Sequence, residues 1–242
     1  MSWVLANLPT IAGHLLAHLL QAVPAIIASF VLAIPIARLA RVARPLRAVL
    51  VTGSSLLYAV PSLALFVILP IILATGIRDP LNVIVALTLY GLALLVPATA
   101  DALDAVDARV LDAATAMGMG RLRCFLTVEL PLAGSAILTG LRVVTVSTIS
   151  LTTVGAVLGV RSLGWLFTDG FQRGITAEIV AGLVATAALA LVLDGLVLAL
   201  GRLCLPWTWK RAGATGQVLE VDGASAAGGR EDDGREKREG ES

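Results

Sequence analysis

The sequence predicts an all-α integral membrane protein with five transmembrane helices, and two observations predict it. Hydrophobic residues make up 57% of the 242 and charged residues only 14%, where soluble domains carry about 25% charge. The apolar residues also come in long uncharged blocks, and a hydrocarbon core of about 30 Å asks for roughly 20 such residues per helix.

The blocks fall in order at residues 19–37, 48–77, 80–100, 143–160 and 179–201, the last interrupted only by Asp194. Leu, Ala, Val and Ile dominate all five. The 23 glycines suit helix contacts in lipid, where small residues let backbones approach. No ten-residue segments alternate in polarity, which argues against a barrel. The opening MSWVLANLPTIAGHLL has no positively charged start and no small-residue cleavage pattern, so it reads as mature chain.

Arginine and lysine set the expected orientation. Arg38, Arg41, Arg44 and Arg47 lie between the first and second blocks, and Arg109, Arg121, Arg123 and Arg142 between the third and fourth. Arg202, Lys210 and Arg211 follow the fifth, against Arg78, Arg161 and Arg173 on the other side. The N-terminus is therefore expected outside and the C-terminus in the cytoplasm. Cys124 and Cys204 would both face the reducing side, where a disulfide is not expected. The transmembrane body is expected to span 1–211. Residues 212–242, rich in Gly, Ala and mixed charge, read as a disordered tail.

Between the third and fourth blocks the chain turns polar. Asp101, Asp104 and Asp107 precede VDARVLDAATAMGMG, whose Val106, Val110, Leu111 and Ala114 follow a helical period that Gly118 and Gly120 end. RLRCFLTVEL follows, and Pro131 is expected to close it. This reads as a short amphipathic helix outside the bilayer. Resting on anionic headgroups suits it poorly, because Asp101, Asp104, Asp107 and Asp112 would be repelled; a protein groove suits it better.

Asp112-Ala113-Ala114, three residues, Gly118, nine residues, Val128, one residue and Leu130-Pro131 resembles the Glu-Ala-Ala loop of ATP-binding-cassette importer permeases, with Asp for Glu and Val for Ile. AVPSLALFVILP at 59–70, Leu89-Tyr90, VDARVLDAATAMGMG at 106–120, VELPLA at 128–133 and GLRVVTVSTIS at 140–150 are similar to the permeases of glycine betaine, carnitine and choline importers. The resemblance implies the type I importer permease fold, with a coupling helix that seats in a separate ATPase. Asp112, Ala113, Ala114, Gly118, Leu130 and Pro131 would form that coupling loop. Gly118 would permit a sharp turn that a side chain would obstruct. The implied partners are two copies of an ATP-binding subunit, a second permease copy or homologue, an extracytoplasmic binding protein, the bilayer and a small-molecule substrate; nucleic acid is not among them. No GxxxxGK[ST] phosphate loop occurs, so no cofactor and no enzymatic activity are expected of this chain. ATP would be used by the partner.

Asp194 is the carboxylate deep in an apolar block, which points it at protein rather than lipid. It could serve cation passage, or pair with Arg142 or backbone. His14 and His18, four apart, could share a metal. Two further readings stay open for the whole chain: an ABC permease for another small solute such as an amino acid, or a secondary transporter running on an ion gradient.

Overall fold

A computed structural model describes residues 2–42, 44–204 and 206. The chain divides into two units, 1–199 and 200–242. Within the second, the described residues are the last turns of a helix and Pro206, and the tail expected at 212–242 lies outside the described residues.

The described residues are helical or in short connections, with no strand among them. They run as α1 (Ser2–Ala6), α2 (Leu8–Val42), α3 (Arg44–Ala59), α4 (Ser62–Leu73), α5 (Pro80–Asp104), α6 (Ala108–Ala116) and α7 (Arg121–Cys124). A π-helical turn at Phe125–Glu129 leads into α8 (Leu130–Thr152). A 3-10 segment at Thr153–Leu158, α9 (Trp165–Arg173) and α10 (Thr176–Cys204) follow. Four stretches are long and apolar enough to cross a membrane: α2, α5, the run 121–158 and α10. A fifth arises if α3 and α4 together make one span.

That pair corrects the expectation of one straight helix over 48–77. Its axes bend by 108° at Val60-Pro61. Pro61 supplies no N–H and disfavours helical geometry in the residue before it. The freed Val60 carbonyl accepts from the Tyr90 hydroxyl of α5 at 2.6 Å, so the break is held rather than frayed.

The fourth block also begins earlier than its hydropathy suggests. Pro131 does not close a segment but lies in the first turn of α8. Having no N–H, it cannot bond the carbonyl four residues back, and the helix widens just before it. The Leu130 N–H reaches the Phe125 carbonyl, five residues back, which carries the chain through without a stop.

α5 is the central helix, with contacts to α2, α3, α4 and α8. Alanine explains how α2 comes so close: Ala22, Ala25, Ala33, Ala37 and Ala40 are all fully buried, one face of small side chains. At the crossing, a Cβ on Gly91 would sit 2.6 Å from Ser29 Cβ and Oγ, so only glycine fits. Larger side chains fill the ends. Phe66, Leu69, Val83, Leu87 and Val160 pack at one; Leu103, Phe125 and Ile137 pack at the loop end. α10 joins through Leu189, which meets Ile149, Leu163 and Leu166.

Candidate functional site: the loop between α5 and α8

Asp107 starts α6. Its carboxylate accepts from the Arg109 N–H at 2.9 Å, satisfying one of the donors that a helix start leaves free. The helix ends in a Schellman turn: Gly118 N–H donates to the Thr115 carbonyl at 2.9 Å and Met119 N–H to the Ala114 carbonyl at 3.2 Å. Gly118 adopts φ +81°, a left-handed conformation that costs L-residues energy. A Cβ there would meet nothing within 4 Å, so the requirement is backbone conformation and not crowding within the chain.

Of the residues on α6, Ala114 is buried and Leu111 half-buried. Asp112, Ala113, Thr115 and Ala116 are exposed, as is Met117 at 72%. Ala113 and Ala116 lie three apart, hence on one face. The helix offers small side chains outward, rimmed by one carboxylate and one thioether.

The second half of the loop is tied down. Arg41, at the end of α2, pairs with Glu129 in the π turn and, at 3.3 Å, with Asp104 at the end of α5. Arg47 of α3 reaches the other Asp104 oxygen at 2.5 Å. The Arg38 guanidinium lies 4.2 Å from the centre of the Phe125 ring, within cation–π range. Four elements thus meet at one charge cluster beside α6. Sequence reasoning used Arg38, Arg41 and Arg47 only as orientation markers and left Glu129 unremarked. The i, i+3 spacing of Arg38 and Arg41 on α2 was the available signal. Asp104 and Asp107 are spent on internal contacts, so the loop presents less free acid than its composition suggests. Leu130 and Pro131 lie at the π turn, some way along the chain from Asp112, Ala113, Ala114 and Gly118, and serve the entry into α8.

Asp194 and Arg142 come together across α10 and α8. Two parallel bonds join them, Nε to Oδ1 at 2.8 Å and a terminal nitrogen to Oδ2 at 2.6 Å, the fork geometry that makes arginine–carboxylate pairs strong. His14 and His18 are buried, and His14 stacks on Trp165 with centroids 6.3 Å apart. No group of three metal-ligating side chains occurs among the described residues.

The family model described as the binding-protein-dependent transport system inner membrane component matches residues 25–207. The chain belongs to that family. Its matched region holds the α6 loop, the charge cluster and the Arg142–Asp194 pair. Among curated relatives of this permease family, the choline transport system permease protein OpuBD of Bacillus subtilis is 31% identical over 81% of this chain and 86% of its own. The glycine betaine/carnitine/choline permease OpuCD of the same organism is 30% identical over 73% and 76%. The fold is that of solved ABC transporters. The MetNI methionine transporter in an inward-facing form superposes with a TM-score of 0.63 at 18% identity, covering 85% of this chain and 96% of its own. An amino acid ABC transporter crystallised with histidines gives 0.65 at 17%, over 84% and 96%. This permease is accordingly a multi-pass membrane protein and a transport component.

Proposed function

We propose that this chain carries a small osmoprotectant, of the glycine betaine, carnitine or choline class, across the cytoplasmic membrane as the permease of an importer driven by a separate ATPase. The observation that carries the solute class is the pair of relatives named for choline and for glycine betaine, carnitine and choline, each aligned over most of both chains. α6 is the coupling helix. Its exposed Asp112, Ala113 and Ala116 form a small-faced surface, Ala114 anchors it, Gly118 sets its exit, and Leu130-Pro131 joins its loop to α8.

In this reading the chain crosses the membrane five times, with α3 and α4 as one broken span. Its N-terminus is outside and the α6 loop and C-terminus are in the cytoplasm, following the arginine bias. Two ATPase copies close on binding ATP and move two permeases, each through its α6, and an extracytoplasmic protein delivers the solute. Arg41 carries the motion onward. It bridges the loop at Glu129 to α5 at Asp104, and Arg47 adds α3, so displacement of the loop moves three helix ends together.

The deciding experiment is uptake of labelled glycine betaine and choline into proteoliposomes. They would hold this permease with its cognate ATP-binding subunit and extracytoplasmic binding protein. Uptake that needs internal ATP and survives collapse of ion gradients by ionophores is expected. Uptake that needs a gradient and no ATP would support the secondary-transporter reading instead. A third outcome, ATP-driven uptake of neither solute, would leave a permease for another small molecule. A Helicobacter pylori relative named for ergothioneine, 33% identical over 62% of this chain and 27% of its own, favours including that solute in the panel.

A further inference from the structure

The end of the spans opposite the α6 loop carries a second feature. A cavity of about 410 Å³ opens there between α2, the α4–α5 turn and the segment after α8, lined by Ala17, Leu20, Gln21, Arg78, Pro80, Gly159 and Arg161. Neither arginine has a carboxylate partner among the described ion pairs. Neighbouring Asp79 is occupied as the cap of α5, accepting from the Leu81 N–H at 2.9 Å.

Both arginines stand on fixed backbone. Asn82, buried to 2% exposure, accepts from Thr75 Oγ1 at 2.6 Å and donates to the Gly76 carbonyl at 2.8 Å, which holds the turn bearing Arg78. Gln21, equally buried, donates to the Arg161 carbonyl at 2.7 Å. Its Oε1 is left without a partner. The Arg78 side chain lies across Gly159, where a Cβ would come 3.0 Å from Nε. Both guanidinium groups line the one cavity, so an anion entering it is attracted by two charges.

The source of that anion follows from the wall. On α2 an exposed apolar stripe runs away from the cavity through Leu20, Pro24, Ile27 and Val31, with Leu20, Ile27 and Val31 each more than half exposed. Their four- and three-residue steps keep them on one helix face. From Leu20 to Val31 the stripe is about 16 Å long, and it points from the end of the spans into the apolar zone. A carboxylate on a docking protein would use the arginines and leave the stripe idle. A phospholipid uses both, its phosphate in the arginine cavity and an acyl chain along α2. Arginine matches phosphate through its planar fork.

We propose that Arg78 and Arg161 form a binding site for the phosphate of an anionic phospholipid, with Leu20, Ile27 and Val31 receiving an acyl chain. The site is distinct from the α6 loop and does not depend on the transported solute.

The test is native mass spectrometry of the full chain purified in mild detergent, with phosphatidylglycerol or phosphatidylcholine added. Wild type should retain phosphatidylglycerol in preference to phosphatidylcholine. Arg78→Gln with Arg161→Gln should lower that retention by on the order of tenfold or more. Both side chains are exposed, so the double variant should keep the elution profile of wild type. Ile27→Gln, which leaves the cations intact, should also weaken retention. Equal retention of the two lipids, or an unchanged double variant, would overturn the proposal. So would displacement of the lipid by millimolar inorganic phosphate, which would mark a free-anion site. Loss through the arginines with no effect of Ile27→Gln would contradict the acyl-chain half and point to an acidic protein partner.

Discussion

α6 and α10 both leave most of their surface uncovered, yet for opposite reasons. In α10, only 6% of the most apolar window is buried, and its mean hydropathy there, 2.4, slightly exceeds the 2.1 of central α5, of which 56% is buried. Its uncovered side chains, Val180, Leu183, Val184, Leu191 and Val192, are apolar and suit acyl chains. α6 presents Asp112, Ala113, Thr115 and Ala116, a short-chained, partly polar face that the proposed function assigns to a protein groove. Exposure alone therefore does not name a neighbour; side-chain chemistry does. The attachments differ in the same sense. α6 is held by Ala114 and by its caps, whereas α10 relies on Leu189 and a bidentate ion pair.

The largest effect should come from unsettling α6. Gly118→Val places a β-branched residue at φ +81°, costing at least about 1–2 kcal/mol and opening the Schellman turn. The protein should still insert, but lose its ATPase on co-purification and lose uptake by an order of magnitude or more. Gly118→Asn, which tolerates left-handed backbone, should retain much of both. Equal loss in the two variants would show that crowding by the partner, not backbone conformation, governs the position.

Next in size is the clip on α10. Asp194→Leu removes the acceptor and leaves the Arg142 guanidinium without its fork, so thermal stability in detergent and uptake should both fall clearly. Asp194→Asn keeps one acceptor oxygen and should fall less. Exchange of the two residues, Arg142→Asp with Asp194→Arg, should recover part of the stability if the pair is a clip. Recovery of stability without uptake would assign the carboxylate to solute passage.

Small effects complete the contrast. Val184→Leu on the exposed apolar side of α10 should leave stability and transport within about 0.5 kcal/mol and twofold of wild type. Asp112→Glu keeps charge on the exposed face of α6 and should be nearly silent in uptake. A strong defect from either would mean that the wrong neighbour had been assigned to that face.

Much of this was legible in the sequence because bilayer spans advertise themselves by length. The stretches 19–37, 80–100 and 179–201 all fall inside helices of the structure. The α3–α4 bend was not legible from hydropathy, since 48–77 is uncharged throughout; Pro61 was the clue, and the Tyr90 hydroxyl donates to the carbonyl it frees. Pro131 misled in the other direction. Read as a stop, it is carried by a π turn whose hydrogen bond no residue pattern announces. In the loop, the start, the helical period and the end of α6 could all be read from Asp107, Ala114 and Gly118. The Arg41–Asp104–Glu129 cluster could not, because its members lie 25 or more residues apart and meet only when α2, α5 and the π turn converge. Hydropathy likewise could not rank α5 above α10 in burial, because protein and lipid are equally apolar neighbours.

The central claim is that the free face of α6 belongs to an ATPase. It is tested most directly by cross-linking from single cysteines placed at Ala116 and, as the contrasting position, at Val184, after Cys124 and Cys204 are replaced by serine. With a short bifunctional reagent in membranes containing the whole transporter, Ala116→Cys should yield one adduct with the ATP-binding subunit, in an amount that changes when ATP is added. Val184→Cys should yield none. No adduct from Ala116→Cys, or equal adducts from both positions, would contradict the assignment of α6 as the coupling helix.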